Sequence, residues 1–156
     1  MMMNLCCDVL KALKEKSLST AESCTGGWIG AALTSVPGSS ANYKGGIISY
    51  TNDVKANQLG VPNELLSREG AVSAPVAEAM AKGARNVFGS DIAVSTTGLA
   101  GPGGDEFGNP VGTVYIGYAD KSRTFSENFL FSGDRESVRN QAVKAALEIV
   151  LRETGE

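Results

Sequence analysis

Short β-capable runs alternate with helical patterns along these 156 residues, and no other feature narrows the fold as far. Cys6, Leu10 and Leu13 fall at helical spacing, which predicts an amphipathic helix over residues 3–16. Ser17 to Glu22 is a β-type run that breaks at Ser23-Cys24-Thr25-Gly26-Gly27. A second helix follows through Trp28, Ile29, Ala32 and Leu33 and stops at Pro37-Gly38. Tyr43 to Tyr50 reads as a strand, Asn52 as the N-cap of a helix over 53–59, and Gly60 as its end. Val76, Met80, Ala84 and Val87 place a longer helix over 74–88. Ile92 to Thr96 is a buried-type strand that opens into the glycine-rich stretch Gly98 to Gly104, and the loop runs on to Pro110. Gly112 to Ala119 and Thr124 to Phe131 are predicted to pair as an antiparallel hairpin. Gly133-Asp134 leads into a last helix with Val138, Ala142, Ala145 and Ile149 along one face. This order predicts an α/β fold with a sheet covered on both faces, made mixed by the late hairpin. No repeat, low-complexity tract or linker interrupts it, so residues 1–156 are expected to form one domain.

Charge and composition exclude further classes. The net charge is -3, and Lys and Arg are scattered, so the basic footprint of a nucleic-acid binder is absent and no nucleic-acid partner is expected. No apolar stretch approaches a membrane span, and Met1 to Asp8 lacks the basic and apolar regions of a signal peptide. Cys6, Cys7 and Cys24 are odd in number with two adjacent, which is no disulfide framework and points to a reducing, cytoplasmic setting. The sequence contains no histidine. That removes every Ser-His-Asp and Cys-His arrangement and the commonest transition-metal ligand, so hydrolysis here needs another base.

Three segments carry chemistry. In Thr20-Ala21-Glu22-Ser23-Cys24-Thr25-Gly26-Gly27 a strand ends, the chain turns on small residues, and a helix begins. Such a junction aims backbone N–H groups forward, and a serine there can attack with amide donors nearby for an oxyanion. The same pattern is met by Ser23 or Thr25 simply capping the helix. In Tyr50-Thr51-Asn52-Asp53-Val54-Lys55, the lysine falls in the first turn of a helix, where the dipole disfavours a cation. Partly desolvated, Lys55 would lose its proton and act as a base, although the spacing also suits a solvated surface lysine. Tyr50 at its strand end could equally be a half-buried sheet residue. Gly98 to Gly104 permits close backbone approach to a ligand, or forms a wide structural turn, and matches neither a P-loop nor a dinucleotide fingerprint. Asp134 is expected to cap the last helix, leaving Arg135 or Arg139 to face a phosphate. Cys24, a thiol at a helix start, lacks the histidine that usually activates one.

Thr20-Ala-Glu-Ser-Cys-Thr-Gly-Gly27, Pro37-Gly-Ser-Ser40, Tyr50-Thr-Asn52 with Lys55, Leu59-Gly-Val61, Gly70-Ala-Val-Ser73, Gly98-Leu-Ala-Gly-Pro102, Pro110-Val-Gly-Thr113 and Gly133-Asp-Arg135 occur in that order. Together they resemble the CinA C-terminal domain family, whose activity is nicotinamide-nucleotide amidase. The resemblance implies a three-layer α/β/α sandwich around a five-stranded mixed sheet. It maps a serine nucleophile, a tyrosine and a lysine onto Ser23, Tyr50 and Lys55. The expected reaction takes nicotinamide mononucleotide to nicotinate mononucleotide and ammonia, with no cofactor and no metal. Lys55 would take the Ser23 proton directly or through the Tyr50 hydroxyl. Thr25, Gly26 and Gly27 would supply the oxyanion turn, and Gly98, Gly101, Thr113 and Arg135 the ribose and phosphate contacts. A homodimer is the expected assembly. Many family members carry a further N-terminal domain resembling molybdopterin-binding proteins, and activities tied to it are not expected of these residues. The rival readings are a catalytically silent nucleotide-binding regulatory module and a purely structural partner.

Overall fold

Residues 2–155 are described by a computed structural model. Its five strands are β1 (Leu18–Glu22), β2 (Tyr43–Ile48), β3 (Ile92–Gly98), β4 (Thr113–Ala119) and β5 (Thr124–Leu130), in spatial order β2-β1-β3-β4-β5. β1 runs parallel to both β2 and β3, whereas β3–β4 and β4–β5 are antiparallel. The sheet is therefore mixed, and the hairpin is where the sequence places it. Six α-helices accompany it among the described residues: α1 (Met2–Leu13), α2 (Trp28–Thr34), α3 (Asn52–Leu59), α4 (Asn63–Glu69), α5 (Ala74–Phe88) and α6 (Arg135–Thr154).

Strand alternation divides the core in two. Leu18, Ile92, Val94, Val114, Ile116 and Tyr118 point to one face and pack with Cys6, Val9 and Leu13 of α1, Ile29 and Leu33 of α2, and the buried stripe of α6. Ala21 and Ala93 point to the other face, against Leu59, Leu66, Val76, Met80 and Ala84 from the α3–α5 side. The small residues on that second face let α5 lie close. A Cβ at Gly117 would stand 2.2 Å from the carbonyl oxygen of Ala77, and the hydroxyl of Ser95 donates to that same oxygen at 2.6 Å. The central strands β1 and β3 are buried along nearly their whole length. Their ends are therefore fixed by packing on both sides, and the chain leaving them is well placed to carry a site.

Several expectations need correction. Helix α1 ends at Leu13 rather than residue 16, because Lys14 adopts a left-handed φ of 57°. A seven-residue helix, α4, occupies a stretch with no helical expectation; only Leu66 in it is fully buried, too little to make a periodic pattern. Val87 continues the spacing of Val76, Met80 and Ala84, yet it is exposed, and the ring of Phe88 lies against Gly45 instead. The N-cap of α3 is Thr51, whose hydroxyl accepts from the Val54 amide, so Asn52 is the first helical residue. None of the described helices is long and apolar enough to cross a membrane.

Candidate active site

The period of two along β1 decides what faces what. Glu22, the last residue of β1, turns beneath α2. Ser23, one step further, turns to the opposite side, toward α3, with its amide still donating to the Thr96 carbonyl at 3.0 Å. There it meets Lys55. The Nζ of Lys55 donates to Ser23 Oγ at 3.0 Å, to the Ser49 carbonyl at 2.8 Å and to the Tyr50 carbonyl at 3.4 Å. Lys55 is 1% exposed and Ser23 7%. Burial brings the lysine's pKa down from 10.5 to about 8. Among the described residues no carboxylate hydrogen-bonds the amine: its acceptors are two main-chain carbonyls and a hydroxyl. With two N–H bonds committed to carbonyls, the third tetrahedral position of Nζ points at Ser23, and in the neutral amine that position is a lone pair able to accept the serine proton.

The turn that presents Ser23 is held from below. The Glu22 carboxylate is 2% exposed and accepts four bonds, from the Thr25 hydroxyl (2.7 Å) and from the amides of Gly27 (3.1 Å), Ile29 (2.9 Å) and Gly30 (2.9 Å). The amides at the start of α2 are thus satisfied by an internal anion. Gly26 and Gly27 carry φ of 57° and 98°, the left-handed values that let the chain double back here. The Gly26 amide closes the turn onto the Ser23 carbonyl at 3.1 Å, and the Trp28 amide closes the next one onto Thr25 at 3.0 Å. The amides of Cys24 and Thr25 have no acceptor among the described residues. Cys24 itself is buried, and burial pushes its thiol up to about 11, so it stays protonated at neutral pH.

Ser23 and Lys55 lie in a cavity of about 420 Å³. Gly98, Gly101 and Arg135 line it, as do Tyr50, Thr51 and Asn52 at the α3 end and Ala71, Val72 and Thr97 on the wall. Thr25, Gly26, Gly27 and Thr113 do not line it. Thr25 is wholly buried with its hydroxyl on Glu22 and Thr96, and the Thr113 hydroxyl donates to the Pro110 carbonyl at 2.7 Å. Both threonines support loops from behind. Tyr50 also sits differently from expectation. Its side chain is 55% exposed, and its hydroxyl accepts from Arg135 at 2.9 Å rather than reaching Lys55. Arg135 also donates to the Gly101 carbonyl at 2.6 Å, so it ties the β2–α3 connection to the glycine loop across the cavity mouth. Among the described residues no three His, Cys, Asp or Glu side chains group in a way that could hold a metal ion.

A profile of the CinA C-terminal domain matches residues 2–154. The chain belongs to the CinA C-terminal domain family. It is 51% identical over 135 residues to a Pseudomonas putida protein named nicotinamide-nucleotide amidohydrolase PncC, covering 86% of this chain and 84% of that one. It is 46% identical over 146 residues to a CinA-like protein of Geobacter sulfurreducens, covering 92% of this chain but 35% of the relative, so it spans about a third of that longer protein. The crystal structure of a competence damage-inducible protein A from Klebsiella pneumoniae superposes with a TM-score of 0.96 at 35% identity, over 99% of this chain and 98% of the other.

Within this CinA-type domain, several residues that shape the cavity escape a reading of sequence. Ser49 contributes only its main-chain carbonyl, which leaves no side-chain signal. Glu22 could have been found, since a period of two through a buried strand puts it and Ser23 on opposite faces. Arg139 is drawn away from the cavity: Nε donates to the Cys24 carbonyl at 3.0 Å, Nη2 to the Thr25 carbonyl at 3.3 Å, and the guanidinium sits 3.6 Å from the Trp28 ring centroid.

Proposed function

We propose that this protein is an amidohydrolase that releases ammonia from the carboxamide of nicotinamide mononucleotide. The observation that carries the reading is the 3.0 Å contact between a buried, deproton-prone Lys55 and Ser23 inside a cavity sized for a small molecule. Support for the substrate comes from the 51% identical relative named nicotinamide-nucleotide amidohydrolase PncC.

In this reading neutral Lys55 accepts the Ser23 proton as Oγ attacks the carboxamide carbon. The C=O π electrons move to oxygen, and the amide of Cys24, which lines the cavity, is the turn donor available to that oxyanion. The Lys55 ammonium returns its proton to the amide nitrogen, the C–N bond breaks, and ammonia leaves with the ester on Ser23. Water, deprotonated by Lys55, then attacks the ester, and Ser23 recovers its proton as nicotinate mononucleotide departs. The direct Ser23–Lys55 contact makes the Tyr50 hydroxyl unnecessary as a relay. Tyr50 and Arg135 instead flank the mouth, where Arg135 and the Gly98–Gly101 backbone would meet the nucleotide's polar groups.

The test is ammonia release from nicotinamide mononucleotide by the purified protein, with nicotinate mononucleotide quantified alongside. Stoichiometric appearance of both supports the reading. Binding of the nucleotide without turnover would replace it with a silent nucleotide-binding module.

A further inference from the structure

Three features of the Ser23 turn bear on how an oxyanion could be held. The α2 amides that would ordinarily serve are bound by the Glu22 carboxylate, so the helix start offers no free donor there. Of the two unclaimed amides, that of Thr25 belongs to a wholly buried residue outside the cavity, whereas Cys24 lines the cavity and its peptide carbonyl is held from behind. The Ser23 carbonyl, in the peptide that carries the Cys24 N–H, accepts from Gly26. The Thr25 carbonyl, in the peptide that carries the Gly26 N–H, accepts from Arg139 Nη2 at 3.3 Å, and the Cys24 carbonyl accepts from Arg139 Nε at 3.0 Å. In a trans peptide the N–H and C=O point in opposite directions, so a donor on the carbonyl side fixes where the N–H points.

We infer that Arg139 is a positioning residue for the amidase reaction: its guanidinium holds the Cys24 and Thr25 carbonyls and, through the Gly26 amide that donates to the Ser23 carbonyl, orients and polarises the Cys24 N–H toward the oxyanion. The inference rests on Ser23 being the nucleophile. The grip is geometrically specific. One planar fork reaches two consecutive carbonyls, at 3.0 and 3.3 Å, while its face stacks on Trp28 at 3.6 Å, which sets the plane of the fork. Arg139 also lies 115 residues from Cys24 in sequence, so the turn's shape depends on α6 being docked. Electrostatics point the same way. The buried Glu22 carboxylate beneath the turn opposes a developing negative charge at Ser23, and a cation hydrogen-bonded to the turn carbonyls strengthens the Gly26 N–H bond to the Ser23 carbonyl and with it the Cys24 N–H donor. Arg139 does not line the cavity, so none of this requires it to touch substrate.

The experiment measures kcat and KM for nicotinamide mononucleotide in Arg139→Lys and Arg139→Ala, with thermal unfolding of each. Removing an oxyanion donor outright costs about 10²–10³ in kcat, so loosening one should lower kcat by roughly 10–100-fold. KM should stay near the parent value, the pH profile should keep its shape, and methylguanidinium should restore part of the Arg139→Ala rate. A rise in KM at normal kcat would make Arg139 a substrate contact and overturn the inference. So would a kcat loss that merely follows loss of the cooperative unfolding transition, or normal kinetics in both variants. Ser23→Ala separates the two levels. If it stays active, the proposed function itself fails; if it is dead while both Arg139 variants work normally, only the role of Arg139 falls.

Discussion

Lys55 Nζ and Ser23 Oγ are 32 residues apart in the chain and 3.0 Å apart in space, with the Cys24 thiol adjacent in sequence but held protonated by burial. This arrangement makes the hydroxyl, not the thiol, the expected nucleophile. Ser23→Ala should lose nearly all amidase activity and Cys24→Ala should keep most of it, measured as initial rates of ammonia release. An acyl adduct found on Cys24 by mass spectrometry would reverse the assignment.

The pH dependence follows from the amine. A pKa lowered to about 8 leaves about one Lys55 in ten neutral at pH 7, against about one in several thousand for a free lysine. Activity should therefore rise with pH and level off above about 8, with kcat/KM reporting the free enzyme. Lys55→Arg cannot deprotonate and should cost roughly 10²–10⁴ in rate. Near-normal kcat in that variant would remove Lys55 as the base.

The same shift has a consequence for stability. Lys55 has a folded pKa of about 8 and an ordinary value of 10.5. Between these pH values the unfolded chain holds the proton that the folded chain has lost, so folding becomes more favourable as pH rises. Below about 8 both states are protonated and the cost of burying the cation is felt in full. Urea unfolding should show the parent gaining up to roughly 3 kcal/mol relative to Lys55→Met between these limits. Parallel stability curves for the two proteins would contradict the buried, depressed amine.

Tyr50 places its hydroxyl on Arg135, away from Lys55. Tyr50→Phe should therefore leave kcat close to the parent and raise KM, because Arg135 loses one of its two anchors at the cavity mouth. A drop in kcat with KM unchanged would restore the hydroxyl as a proton relay.

Glu22→Gln tests the underside of the turn. Its carboxylate accepts from three amides and one hydroxyl, and an amide side chain would set its own NH₂ against one of those donors. The expected loss is about 2–3 kcal/mol in chemical denaturation, with reduced amidase activity in the folded protein. Unchanged stability would mean the buried carboxylate is dispensable.

What the sequence determined alone was local. Helical spacing located α2, α5 and α6, glycines at left-handed positions marked the turn after β1, and the placement of the hairpin made the sheet mixed. Each of these depends on neighbours a few residues away, where period and backbone freedom act directly. The resemblance then singled out Ser23, Tyr50 and Lys55 as a set. Tertiary structure decided how they relate. Nothing near Lys55 in sequence announces a lysine that is 1% exposed, because its burial comes from β1, β2 and α3 converging. The Tyr50 hydroxyl and the Arg139 guanidinium found partners 85 and 115 residues away, on contacts that exist only once α6 has docked. Thr25 and Thr113 went the other way, turned into scaffold by hydroxyl bonds to Glu22 and Pro110. Desolvation and long-range hydrogen bonding are properties of the packed molecule, and they set both the amine's proton affinity and the direction of the turn's amides.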